Sequence, residues 1–263
     1  MFGNNEYWWA GLLVFFFFVG LNALILALRN KPKVSYAIAY CIAVFLLVQK
    51  TLEYIVWQAL GYHMKFPVEF SAVSYFLFGI FVTFRIKKAD GFAVFVAVLA
   101  GLIYSAFFTL QPQSFIGDFI KGDEAPVSFV LAIINHHLLY FGGMLMLVNV
   151  RRYPVKNVWQ YVLGVGIMVA YSWLVHLYTP YSVANGMPII IQITNGQILT
   201  RLFSDPPLWG VVLYYLLAVS TVVVLLGAHF ALNHKFAALR SKKGMETDAF
   251  PDTLSAAFRK TTV

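Results

Sequence analysis

From Trp8 to Leu28 the chain runs without a single charged residue. At about 1.5 Å of rise per residue, such a run crosses the roughly 30 Å hydrocarbon core of a bilayer as one helix. Hydrocarbon leaves few alternatives, because backbone polar groups there must be satisfied within the helix itself. Six further apolar runs follow, at about residues 34–60, 67–84, 90–111, 126–150, 158–179 and 207–231. The expected fold is all-α: a polytopic membrane protein with seven transmembrane helices. A composition of 60% hydrophobic and only 11% charged residues excludes an ordinary soluble domain.

The connections set the expected orientation. Arg29, Lys31 and Lys33 follow the first span, Arg85, Lys87 and Lys88 the third, and Arg151, Arg152 and Lys156 the fifth. Lys235, Arg240, Lys242 and Lys243 follow the seventh, whereas the alternate connections hold only Lys65, Lys121 and Arg201. An excess of Lys and Arg marks the cytoplasmic side, so the N-terminus is expected outside and the C-terminus inside. The formal charge of +8 is then a matter of topology, and no nucleic-acid partner is expected. Met1–Glu6 lacks basic residues and the apolar run after it is too long for an h-region, so no cleavable signal is expected. The single cysteine, Cys41, excludes an internal disulfide and a cysteine-cluster metal site, and it is expected to be a small packing residue. No metal and no cofactor is expected.

Domain organisation is simple: a transmembrane domain over residues 1–235 and a polar cytoplasmic tail over 236–263. Phe115, Ile116, Phe119 and Ile120 are apolar at helical spacing, predicting a short interfacial helix within 112–125. Met187–Ile191, inside the 180–206 connection, is too short to span and reads as a re-entrant or surface-lying lid. Thr261-Thr262-Val263 fits a C-terminal peptide-recognition pattern that three residues match easily by chance.

Against this apolar background a few polar groups stand out. Gln49, Lys50 and Glu53 lie along one stripe of the second span, followed by Tyr54 and Trp57. Each charge costs about 2.5–3.5 kcal/mol at a helix centre, and pairing Lys50 with Glu53 offsets part of it. An internal salt bridge that fixes packing is as good a reading of this pair as a functional site. Asn135 and His136 lie about 10 residues into the fifth span, roughly 15 Å deep. His136 and His137 differ by about 100° around the helix, so one faces a cavity and the other a neighbouring helix or a glycine-lined groove. Glu69 and Ser71 open the third span, and a serine there is most often a packing residue. His176 shares a face of the sixth span with Ser172 and Thr179, where an interfacial, satisfied histidine is the commoner case. All of these fall in the outer half or near the middle of their spans, while the inner halves are plainer. One shared polar cavity, open outward or sideways into the outer leaflet, is the economical arrangement.

These residues resemble the YwaF-type bacterial integral membrane proteins and their eukaryotic transmembrane acyltransferase relatives, over about residues 40–230. The resemblance rests on the helix count and orientation, Glu53 late in the second helix, Pro67 opening the third, and the Asn135-His136 pair in the fifth. It also uses the long outer connection with Asn185-Gly186 and Pro206-Pro207-Leu-Trp209. The family pattern Pro-x-His-x-Cys reads Pro67-Val-Glu69-Phe-Ser71 here, and the glycine after its histidine is His137. The resemblance implies acyl transfer with Ser71 in place of the nucleophilic cysteine, His136 as its base, and Glu53 or Glu69 orienting the imidazole. Lys50 or Asn135 would stabilise the oxyanion, with Gln49 and His176 lining the substrate site.

Two other classes use the same groups. A proton- or ligand-linked transporter or sensor would employ Glu53, Lys50 and the histidines as ionisable site groups. A non-enzymatic subunit of a membrane complex would use them only to hold helices together. Retinal binding is disfavoured because the seventh span has no lysine, and no histidine pair sits at depths suited to stacked haems. The expected partners are membrane lipids, with a membrane-protein partner or a second copy of the chain also open.

Overall fold

Apolar side chains fill most positions of the apolar runs, so helix is the state that closes their backbone hydrogen bonds locally. A computed structural model describes residues 7–60, 67, 69–113, 116, 126–178, 193–194, 196, 207–245 and 248–250. Its long elements are all helical: α1 Trp8–Ala27, α2 Pro32–Ala59, α3 Phe70–Thr83, α4 Asp90–Leu110, α5 Pro126–Met144, α6 Val158–Tyr178 and α7 Leu208–Lys242. The last turns of the fifth span, Leu145–Val150, are π-helical.

Among the described residues, six helices are long and apolar enough to cross a membrane. α3 departs from the expected 67–84 span, with 14 residues starting only at Phe70. That is about 21 Å of helix, short of a roughly 30 Å hydrocarbon core. Glu69 is its N-cap with extended backbone (φ −65°, ψ 143°), so Pro67 and Glu69 lie outside the helix. At its other end, Arg85 adopts a left-handed conformation (φ 56°). The Ile86 N–H bonds back to the Phe81 carbonyl at 2.9 Å, closing α3 with a turn usually given to glycine.

α4 is the centre of the bundle, packed on α1, α3, α5 and α6, while α2 packs on α3 and α5. The exposed surface is apolar: Trp8, Phe16, Leu163, Val219 and Val224 are all more than half exposed, as hydrocarbon contact allows and water does not. Cys41 belongs to this exposed surface and is not packed inside. Hydrogen bonds gather the basic connections at one end of the bundle. Arg85 Nε donates to Tyr36 Oη (3.1 Å), Arg151 Nη2 to the Lys87 carbonyl (2.9 Å), and Lys243 Nζ to Asn30 Oδ1 (3.2 Å). We call this the basic end.

The C-terminal part differs from a free polar tail. α7 continues through Lys242, beyond the expected boundary at 235, and Gly244 (φ 67°) ends it. Asp248–Phe250 then folds back: the Ala249 N–H bonds the Val150 carbonyl (2.9 Å), and Phe250 is 3% exposed against Tyr36. A single aromatic residue in a polar stretch supplies the apolar area that docks the segment. The expected interfacial helix falls mostly outside the described residues. The Met187–Ile191 lid and the Thr261–Val263 end lie wholly outside them, as do Lys65, Lys121, Arg201 and Met1–Glu6.

Candidate functional site

The α2 stripe forms as its spacing requires. Gln49 Nε2 donates to Glu53 Oε2 at 2.7 Å and Lys50 Nζ to the same oxygen at 2.8 Å. Lys50 and Glu53 are only 12% and 18% exposed, so each charge depends on the other. Asn135 on α5 extends the chain, its Nδ2 donating to Gln49 Oε1 at 3.1 Å. Asn135 is fully buried and its own Oδ1 accepts nothing among the described residues. A continuous line Asn135–Gln49–Glu53–Lys50 thus joins two helices far apart in sequence.

His136 stands beside this line. Its imidazole lies flat on Tyr104, centroids 3.7 Å apart and planes 9° apart, with Tyr75 edge-on at 5.5 Å. Lys50 Nζ lies over the Tyr75 ring, 5.0 Å from its centre. The Nδ1 of His136 donates to the Ala132 carbonyl at 2.6 Å, which assigns the proton to Nδ1 and leaves Nε2 an acceptor. His137 points elsewhere, as the 100° step demands. It packs on Phe17 of α1, donates from Nδ1 to the Ile133 carbonyl (2.8 Å), and shares the Ser105 hydroxyl (3.3 Å) with the Gly101 carbonyl. Gly101 is what lets α4 come this close: a Cβ there would lie 2.5 Å from both the His136 carbonyl and Tyr140 Cβ.

The remaining expected residues are less well gathered. Ser71 is half-buried in the first turn of α3, one turn before Tyr75, and makes no hydrogen bond to His136. Glu69 is exposed at the α3 N-cap. His176 on α6 packs edge-on to Trp173 at 6.0 Å, and its buried Nδ1 has no hydrogen-bond partner among the described residues. Of the eight expected site residues, Gln49, Lys50, Glu53, Asn135 and His136 form one cluster. Among the described residues, no three metal-ligating side chains come together.

The chain matches no protein-family model, no curated protein and no solved structure.

The basic end is richer in buried polar groups than the sequence suggests. Asn149 Nδ2 donates to the Ile25 carbonyl (3.0 Å) and to Ser35 Oγ (3.2 Å). Asn233 Nδ2 donates to the Leu147 (2.6 Å) and Arg151 (2.7 Å) carbonyls, and its Oδ1 accepts from the Tyr153 N–H (2.8 Å). Arg240 Nη1 bonds the Val148 carbonyl. The Leu147, Val148 and Arg151 carbonyls belong to the π-helical turns and the residue after them, and α7 is tied on through them. Asp90, 1% exposed, lies 3.1 Å from Arg151 Nε. Burial and then the Asp90 carboxylate push the nearby Tyr153 phenol well above its usual range, so it keeps its proton. Asn233 and Arg240 lie on the buried stripe of α7 that also holds Leu226, Phe230 and Ala237, whereas Asp90 and Asn149 stand at or near the ends of their helices.

Proposed function

We propose that this chain is a seven-span membrane protein, N-terminus outside and C-terminus in the cytoplasm, with a proton- or ligand-linked site for transport or sensing. α3 serves as the short seventh span, and the basic end faces the cytoplasm by the distribution of Lys and Arg. One observation carries the reading: a single carboxylate oxygen, Glu53 Oε2, accepts from both Lys50 and Gln49, and Gln49 passes the contact to Asn135 on α5. Protonating Glu53, or offering its partners another anion, removes the charge that Lys50 needs. The change is felt at once on α5 through the amides. Membrane lipids surround the bundle, and a membrane-protein partner or second copy remains compatible with its apolar exterior.

Acyl transfer, implied by the likeness to YwaF-type proteins, or lipid-ester hydrolysis by the same residues, is the second reading. It is favoured by the His136 ring, clamped between Tyr104 and Tyr75 with Nε2 left as an acceptor, and by Ser71 one turn before Tyr75. It ranks second because Glu53 is engaged by Lys50 and Gln49, and Nδ1 of His136 already donates to its own helix. Ser71 would also have to approach the imidazole to lose a proton to it.

The test is charge movement in liposomes holding the purified chain, driven by a pH step. Loss in Glu53→Gln with Ser71→Ala unaffected supports the first reading. Serine-directed fluorophosphonate labelling that Ser71→Ala abolishes, with no charge movement in wild type, replaces it by the second.

A further inference from the structure

Asp90 and Arg151 are close but badly matched. The pair is 3.1 Å apart at Oδ2 and Nε, yet neither atom has a well-aligned hydrogen bond, and Arg151 Nη1 lacks one too. A third group adds to the deficit: Tyr153, 3% exposed, has a hydroxyl with no hydrogen-bond partner among the described residues. Four unsatisfied polar atoms in one buried place are costly, and native interiors resolve such places with ordered water. The space is present. A cavity of about 10 Å³ is lined by Asp90, Arg151, Tyr153, Tyr161 and the Lys87–Lys88 connection. That is about the room one water molecule needs.

We propose that the basic end holds one ordered water between Asp90, Arg151 and Tyr153, and that Asp90 exchanges a proton with the aqueous surface through it. The site shares no residue with the Glu53 cluster. The water accepts a proton from solution and passes one to the Asp90 carboxylate, remaining water itself. The Asp90–Arg151 pair goes from neutral to a net charge of +1, and no other bond changes. The surroundings are built for such an exchange. Gly91 admits the phenols, since a Cβ there would lie 2.5 Å from Tyr161 Oη. Tyr161 Oη in turn sits 3.3 Å from His229 Nε2 on α7. Asp90 is faced by Arg151, Lys87 and Lys88 from the connections, by Tyr153 and Tyr161, and by Asp248 of the returning C-terminal segment. Phe250 lies 5.1 Å over the Arg151 guanidinium.

The experiment is pH-difference infrared spectroscopy of the full chain in lipid nanodiscs, in ordinary and in oxygen-18 water. Expected is a carboxylic C=O band on acidification that Asp90→Asn removes. Tyr153→Phe, which deletes one oxygen and keeps the packed ring, should shift that band and abolish an O–H band sensitive to oxygen-18. An acid-induced band that survives in Asp90→Asn overturns the proton assignment. A Tyr153→Phe spectrum identical to wild type, or no oxygen-18-sensitive band in wild type, overturns the water. If Asp90→Asn does not fold, the Tyr153→Phe comparison decides alone.

Discussion

The imidazole of His136 and the ring of Tyr104 lie face to face, 3.7 Å apart and within 9° of parallel. One ring comes from α5 and the other from α4, so the stack fastens the two most extensively packed helices beside the Glu53 cluster. Replacing Tyr104 with Leu keeps most of the apolar area and loses the ring contact. The expected loss is about 0.5–1.5 kcal/mol, read from unfolding in mixed micelles. A stability equal to wild type would mean that the stack contributes area alone.

The Lys50–Glu53 pair should behave as a unit. Glu53→Gln leaves an ammonium in mid-span without its counter-charge, at an expected cost of about 2.5–3.5 kcal/mol. The double variant Lys50→Met/Glu53→Leu should recover most of that stability, because no charge remains to be compensated. A double-mutant cycle in micelles measures the coupling, and purely additive losses would contradict it.

Gly101→Val is expected to be damaging out of proportion to its size. Its Cβ would meet the His136 carbonyl and Tyr140 Cβ at 2.5 Å, forcing α4 and α5 apart. Overpacking of this kind costs about 1–3 kcal/mol or more. Unfolding in mixed micelles measures the loss, and a Gly101→Val variant as stable as wild type would contradict the close approach.

Asn233 and Asn149 offer a graded comparison. Asn233→Leu leaves two carbonyls and one N–H without their partner, while Asn149→Leu leaves one carbonyl and one hydroxyl. With each buried orphan costing about 1–3 kcal/mol, the Asn233 variant should lose more stability. Phe250→Ala should release Asp248–Phe250 from the core and speed tryptic cleavage after Lys242 and Lys243; an unchanged rate would show that the backbone bond to Val150 suffices.

The helical architecture was legible because hydrocarbon permits so little else: long apolar runs can only be helices. The Gln49–Lys50–Glu53 stripe was legible too, since neighbours three and four residues apart on a helix must meet. The Gln49–Asn135 contact was a matter of tertiary packing, suggested only by the shared need for polar company. The expected third span starts at Pro67, whereas α3 starts only at Phe70, because the backbone at Glu69, its N-cap, is extended. Phe250 and Asn233 gave no warning. One is a lone aromatic in a polar stretch, the other a lone amide past the last apolar run, and only the fold reveals what each touches.

The way α7 is fastened sets how it can move. Asn233 and Arg240 anchor its basic end to the π-helical turns, whereas from Val212 to Val224 it exposes side chains on every face. Among the described residues, the Tyr214 and Tyr215 hydroxyls donate to the Ile193 and Thr194 carbonyls, and the Thr194 hydroxyl in turn accepts from Trp173 of α6. α7 is thus a cantilever, clamped at one end and yoked to α6 at the other. Leu208 lies about 37 Å from the clamp at 1.5 Å per residue, so a tilt of about 5° swings it by roughly 3 Å. A small pivot at Asn233 would carry both helices sideways through the bilayer as a pair.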